Sequence, residues 1–350
     1  MAEMIFSADF FRMPLVQEIG RYIYRAHICE DYFINFADAS AKLNIAGDLV
    51  FRYGQRIGDR RMQAFGAYAA ERQGFAPDRN DSIGRQLASL FNLRELKSCP
   101  RSQPLVRDVW LPGIQVIAAR RREISAEGLY LAAQGGHNAE SHNHNDVGNF
   151  IVYADGRPVI IDVGVETYTA KTFSSQRYEI WTMQSGFHNL PTIDGVMQAA
   201  GREFAASDVH YHSDDGGAQL SLNLARAYPL QAGLDSWKRT LRLDRGGNQV
   251  EVTDSYSLKR AAAQVTQTLM TPHKVAQTAA GELAVAGDTF PSGRIKLFYD
   301  ARAFSFSQEE IRIEDARLKA SWGDRLYRIN LTAEKPRLRD TWTLRVVQQL

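Results

Sequence analysis

Cysteine is scarce in this sequence: two residues in 350, Cys29 and Cys99, at no metal-binding or redox spacing. A chain of this size with so few thiols is not a disulfide scaffold. Charge of one sign is not in excess either, with 42 basic against 40 acidic residues and a formal net charge of +2. That balance gives no electrostatic footprint for nucleic acid, although a local basic cleft on a near-neutral surface could still take an acidic ligand. No run approaches the roughly 18 continuous apolar residues of a membrane-spanning helix, so no membrane partner is expected. The N-terminal MAEMIFSADFFRMPLV has no basic segment followed by an apolar one, and reads as no signal peptide. The expected compartment is cytoplasmic if the chain is complete and periplasmic if it is truncated at its N-terminus. Short-period repeats and low-complexity tracts are also missing.

What is present is ordinary for a globular protein, with 44% hydrophobic and 23% charged residues. The length suffices for two or three domains. Residues 1–95 read as helical. PLVQEIGRYIYRAHICEDYFINFADASAKL carries apolar residues at mixed three and four spacings (Leu15, Ile19, Tyr22, Ile23, Ala26), RRMQAFGAYAAERQG is Ala-rich and stops at Gly74, and SIGRQLASLFNL is a further short helix. KSCPRSQP then punctuates the chain, and the domain boundary is placed there, giving 1–100 and 101–350. Beyond it, short β-rich runs such as GLYLAAQ, NFIVYADGRPVIIDVG, KRTLRLDRGGNQVEVTDSYSL and RLYRINLTAE alternate with hairpin turns at Asp155-Gly156 and Gly246-Gly247-Asn248. The expected fold class is α+β and multi-domain, a short N-terminal helical segment followed by a large antiparallel β-sandwich.

The chemistry is concentrated in residues 134–201. His137, His142 and His144, three of the eight histidines, lie there, with His188 beyond them. On extended backbone, His142 and His144 would project from one face and aim two imidazoles at one point. If Ala154 pairs with Arg157 across the Asp155-Gly156 turn, Asn149 lies opposite Asp162, which returns Asp162 to the neighbourhood of His144. An acidic residue in the run VIIDVG is costly unless paired or bound to a cation. Two imidazoles and one carboxylate make a zinc-type donor set, with Asp146 and Glu140 as competing carboxylates on spacing alone.

HNHNDVGNF, the strand G-x-P-x-I-I-D-V-G, RYEIW, and SGFHNLPTIDG-x-x-Q-x-x-G together resemble, in order and spacing, the signature block of heparinase II/III-like proteins. That family includes heparin, heparan sulfate and alginate lyases. The resemblance implies an α/α toroid followed by an antiparallel β-sandwich. It also implies a structural zinc bound by His144, Asp162 and His188, with His142 facing the substrate cleft.

Such lyases cleave uronic-acid chains by β-elimination: the C5 carboxylate is neutralised, the C5 proton removed, and the C4 leaving oxygen protonated. Imidazole and phenol suit these proton transfers, and Arg or Asn donors suit the developing enolate. His142 and Tyr178 are the catalytic candidates, with Tyr168 as the competing phenol, and Arg177 and Asn143 the candidates for substrate binding. The expected partner is an acidic polysaccharide or oligosaccharide. Only about 95 residues precede the sheet region, far fewer than the family's toroid, and Tyr22, Tyr24, His27, Tyr32 and Asn35 match none of its catalytic motifs. A partial toroid would expose apolar surface and favour a homo-oligomer or another partner. The competing readings are a non-catalytic, zinc-stabilised carbohydrate-binding or interaction module, and more remotely a cupin-like metal oxygenase, against which this sequence has no Glu a few residues after H-x-H.

Overall fold

The computed structural model describes residues 9–75, 82–285, 290 and 294–349. Two compact units emerge. The first holds the described residues up to Phe33 and those from Lys42 to Val106; the second holds Ile34–Ala41 and the chain from Arg107 onward. The segment Ile34–Ala41 thus belongs with the sheets although it lies among the helices in sequence.

The first unit has helices Pro14–Arg25, Gly47–Arg56, Arg60–Arg72 and Ile83–Ser98. Pro14 opens its helix at the first turn, where a missing N–H costs nothing. Asp59 caps Arg60–Arg72 by accepting from the Met62 amide at 3.0 Å. Gly74 follows at φ +66, the left-handed stop anticipated from the sequence. Helix Gly47–Arg56, which the periodicity left unassigned, lies against Arg60–Arg72 because two glycines let the backbones touch: a Cβ on Gly66 would sit 2.6 Å from the Gly47 carbonyl. Within PLVQEIGRYIYRAHICEDYFINFADASAKL the helical reading holds only for Pro14–Arg25. His27–Cys29 and Tyr32–Phe33 form a small antiparallel hairpin. Glu30 turns it at φ +52, and Ile28, Cys29 and Phe33 bury there, so tertiary packing overrides the local periodicity. Among the described residues no helix is long and apolar enough to cross a membrane.

The second unit is antiparallel β-structure, as expected. One sheet has five strands in the order Asp108–Leu111, Val116–Arg120, Leu129–Gln134, Phe150–Ala154, Arg157–Ile160. An eight-stranded sheet is centred on Leu234–Asp244, Gln249–Leu258 and Arg339–Gln348. A four-stranded sheet runs Ser305–Arg312, Arg325–Glu334, Gln264–Thr271, Pro191–Ile193. Gln249–Leu258 alternates strictly between buried and half-buried positions, the signature of a sheet with one face on the core. Phe150–Ala154 is buried at every position. Side chains of all three sheets, including Phe150, Trp237, Leu241, Val265, Ile329 and Trp342, merge into one core. The two expected turns are present, with Asp155 and Gly156 both at positive φ, as a tight hairpin of this type requires.

One buried ion pair ties this core to the loops that carry the histidines. Arg239 and Asp254 face each other across neighbouring strands and are joined by two hydrogen bonds, Nε to Oδ1 at 2.8 Å and Nη2 to Oδ2 at 2.7 Å. The remaining arm of Arg239 donates to the carbonyls of Gly148 at 3.2 Å and Asn189 at 2.7 Å. Replacing Arg239 with Met strands the Asp254 carboxylate without its partner, and the expected cost is about 3–5 kcal/mol in denaturant unfolding. A loss under about 1 kcal/mol would show that the pair is not a structural tie.

Candidate metal centre and proton-transfer cluster

His144, Asp162 and His188 come from three separate segments and are fully buried. Asp162 follows strand Arg157–Ile160. A bulge between Val152 and Tyr153 shifts the hairpin register by one, so strict opposition of Asn149 and Asp162 is not kept. Their side chains still meet, Asn149 Nδ2 donating to Asp162 Oδ2 at 2.7 Å, while the Gly164 amide donates to Oδ1 at 2.7 Å. His188 ends a run of short 3-10 turns, and its neighbour Asn189 staples the surroundings. Asn189 Nδ2 donates to the carbonyls of Phe150 and Ile161, at 2.6 and 2.9 Å, and its Oδ1 accepts from the Met270 amide at 2.7 Å.

One donor atom from each of the three residues lies within 4.8 Å of the others. His144 Nδ1 faces His188 Nε2 at 3.3 Å, and His188 Nε2 is 3.5 Å from Asp162 Oδ2. His188 Nδ1 donates to the Gln184 carbonyl at 3.0 Å, which leaves Nε2 as a lone pair aimed at the cluster. Burial holds His144 down at about 4 and lowers His188 too, so both rings are neutral and ready to ligate near pH 7. Asp146 is a second carboxylate beside the group, its Oδ2 4.0 Å from His188 Nε2 and without a hydrogen-bond partner. Burial pushes the Asp146 and Asp162 carboxyls up, to about 7. Two buried acids with nearby neutral imidazoles, and no cationic side chain hydrogen-bonded to either acid among the described residues, are a donor set suited to a divalent cation. Glu140, the other competing carboxylate, is exposed and pairs with His137 at 3.1 Å, away from this group.

The H-x-H pair does not lie on a strand. His142 adopts φ +59, so the two imidazoles are not aimed by alternation along extended backbone. They converge instead on a carboxylate absent from the sequence-based reading, Asp38. His144 Nε2 lies 3.1 Å from Asp38 Oδ1, and His142 Nδ1 lies 3.0 Å from Oδ2. Arg177 Nη2 donates to Oδ1 at 2.7 Å and the Tyr168 hydroxyl to Oδ2 at 3.0 Å. Burial alone would raise the Asp38 carboxyl, but the hydrogen bonds from His144 and Arg177 hold it well below the usual carboxylate range. Nothing in the local pattern FADAS marks this residue. It is fixed from afar: Arg317 Nη2 donates to the Asp38 carbonyl at 2.8 Å, and Asn35 Nδ2 donates to the Asp162 carbonyl at 2.9 Å. Asn35 therefore serves the sheet unit.

The remaining predicted residues divide. The His142 side chain is 54% exposed, against 0% for His144. Tyr168 stands beside it, its hydroxyl 3.4 Å from Nδ1 and its ring stacked on the imidazole. The Tyr178 hydroxyl instead accepts from Asn143 Nδ2 at 3.1 Å. Arg177 turns inward, with Nε on the Asn143 carbonyl at 3.0 Å and Nη1 on the Thr172 carbonyl at 3.1 Å. Asn143 is buried, and its Oδ1 accepts from the Glu140 amide at 3.2 Å.

The profile of the family described as heparinase II/III-like, C-terminal, matches residues 113–343, more than half of the chain. The chain belongs to this family. Among solved structures, heparinase III aligns over 95% of this chain and 45% of its own, at 13% identity and a TM-score of 0.65. The heparan sulfate lyase of Pedobacter heparinus gives 13% identity, a TM-score of 0.64, and coverage of 95% and 46%. A Paenibacillus xanthan lyase gives 11% identity, a TM-score of 0.53, and coverage of 96% and 36%. At such identities the likeness is one of fold. The chain spans less than half the length of each of these three proteins. A search of curated proteins finds no match.

Proposed function

We propose that this heparinase II/III-like chain is the metal-holding β part of a polysaccharide lyase that cleaves uronic-acid glycans by β-elimination. The observation that carries the reading is the pairing of a buried His144–Asp162–His188 donor group with a half-exposed imidazole, His142, two residues away. The proposed metal is zinc, which suits two neutral imidazoles and a carboxylate. When bound, it supplies a crosslink among three chain segments. His142, presented to solvent, is the group proposed to accept the C5 proton or to neutralise the uronate carboxylate. Tyr168, stacked on His142, is the phenol proposed to share in proton transfer. Asn143 and Arg177 support this reading by shaping the loop, since their polar atoms are engaged within the protein.

Incubation with alginate, heparin, heparan sulfate and hyaluronan tests the reading, with the ultraviolet absorbance of an unsaturated uronate as readout. A rise with any of them supports a lyase. Binding without a rise supports the non-catalytic, zinc-stabilised carbohydrate-binding module instead. On the substrate that responds, Tyr168→Phe is expected to lower kcat by about 100-fold and Tyr178→Phe by much less. The reverse order would transfer the proton-transfer role to Tyr178.

A further inference from the structure

Four donors meet on the two oxygens of Asp38, two on each. A carboxylate offers about four acceptor positions and no donor, so this group is saturated. Arg177 can only donate. With the carboxylate ionised, both imidazole nitrogens that face it carry protons. His144 is then the Nε2–H tautomer, with Nδ1 as the lone pair turned toward His188 and Asp162. His142 is the Nδ1–H tautomer, with Nε2 as its free lone pair. Neither assignment follows from the H-x-H motif. Each follows from one side chain more than a hundred positions earlier.

We propose that Asp38 is a positioning residue that sets the tautomers of His144 and His142 together, and so couples the metal centre to the proton-accepting imidazole through a single carboxylate. The inference rests on the zinc and lyase reading above for its consequences, but the tautomers themselves can be read without either. Partners of metal-bound histidines that fix the ring in this way typically matter 10- to 100-fold in metal affinity. The geometry also separates the two oxygens. In Asp38→Asn, the remaining oxygen stays with Arg177 and His144, because Arg177 has no acceptor to offer an amide. The new NH2 then faces His142, which can accept only by moving its own proton to Nε2. Its free lone pair is lost while His144 is kept in place.

The experiment combines zinc affinity, by competition with a chromophoric chelator, with nitrogen-15 NMR of the histidine tautomers at neutral pH, on the full chain and its Asp38→Ala and Asp38→Asn variants. Three results are expected. The wild-type protein shows His142 as Nδ1–H and His144 as Nε2–H. Asp38→Ala weakens zinc roughly 10- to 100-fold. Asp38→Asn, which is isosteric and avoids a cavity, retains most zinc affinity, moves the His142 proton to Nε2 and lowers kcat with KM little changed. Wild-type His142 found as Nε2–H overturns the proposal, and so does a wild-type zinc affinity that Asp38→Ala leaves unchanged. If the wild-type chain binds no zinc, the metal reading fails by itself, and the His142 tautomer in wild type and Asp38→Asn still decides the role of Asp38.

Discussion

Adding zinc to the metal-free protein at pH 8 is expected to raise its melting temperature by roughly 8–16 °C when free zinc stands about 1,000-fold above its Kd, a stabilisation of about 4 kcal/mol in a domain of this size. The sign with pH follows from the site. Burial lifts the folded-state Asp146 and Asp162 carboxyls from 3.8 to about 7. A carboxyl raised in this way contributes stability that is full below the unfolded value and is lost as pH rises through the folded one. The metal-free protein therefore loses this contribution between about pH 4 and 7. His144 acts in the opposite sense: its folded value of about 4 lies below 6.5, so stability is lost as pH falls through that window. The two trends offset each other in the metal-free protein. They act together on zinc binding, because protonation of either the acids or the imidazoles competes with the ion. The zinc-dependent rise should shrink steeply from pH 8 to pH 5, with protons released on binding. Asp162→Ala should remove it at every pH. A thermal scan in which zinc moves the wild type and Asp162→Ala equally would place the ion elsewhere.

His142→Ala should lower kcat on a responsive uronate glycan by about 10²- to 10⁴-fold, the range for a positioned acid–base group, while zinc affinity changes by less than about threefold. The two effects should separate because His142 reaches the metal group only through Asp38. Its own ring is half-exposed, and His144 supplies the nitrogen that faces His188. His144→Ala should do the reverse first, losing zinc affinity before any kinetic comparison is made. The paired measurement is a chelator competition and a progress curve on the same preparation. Equal loss of zinc in both variants would make His142 a ligand and end its assignment to proton transfer.

Much of this molecule is readable from its order of residues. Alternation in LDSWKRTLRLD and QVEVTDSYSL, with Gly246-Gly247-Asn248 between them, marks a hairpin because side chains two apart share a face and the turn needs a residue tolerant of positive φ, here Asn248 at φ +46. The return of Asp162 toward the loop after His144 is partly legible, since the Asp155-Gly156 turn folds one strand back on the other, although a bulge between Val152 and Tyr153 moves Asp162 off strict opposition to Asn149; the meeting with His188, which lies beyond the hairpin, is not. The hairpin at His27–Phe33 was not, because its apolar spacing is compatible with a helix and burial of Ile28 and Phe33 decides otherwise.

Local sequence determined most strands of the sheet unit and their turns, because each depends on periodicity or on contacts a short distance along the chain. The tertiary structure alone decided that Asp38 leaves the helical stretch to join the sheets, that Tyr168 and not Tyr178 stacks on His142, and that Arg177 and Asn143 face inward. The first rests on hydrogen bonds across more than a hundred residues, such as Arg317 to the Asp38 carbonyl and Asn35 to the Asp162 carbonyl, and the others join these to contacts within the loop, such as Tyr168 to His142 and Arg177 to the Asn143 carbonyl. No spacing rule reaches that far, since such a contact forms only once packed sheets have brought its two ends together and removed the water that would otherwise satisfy them.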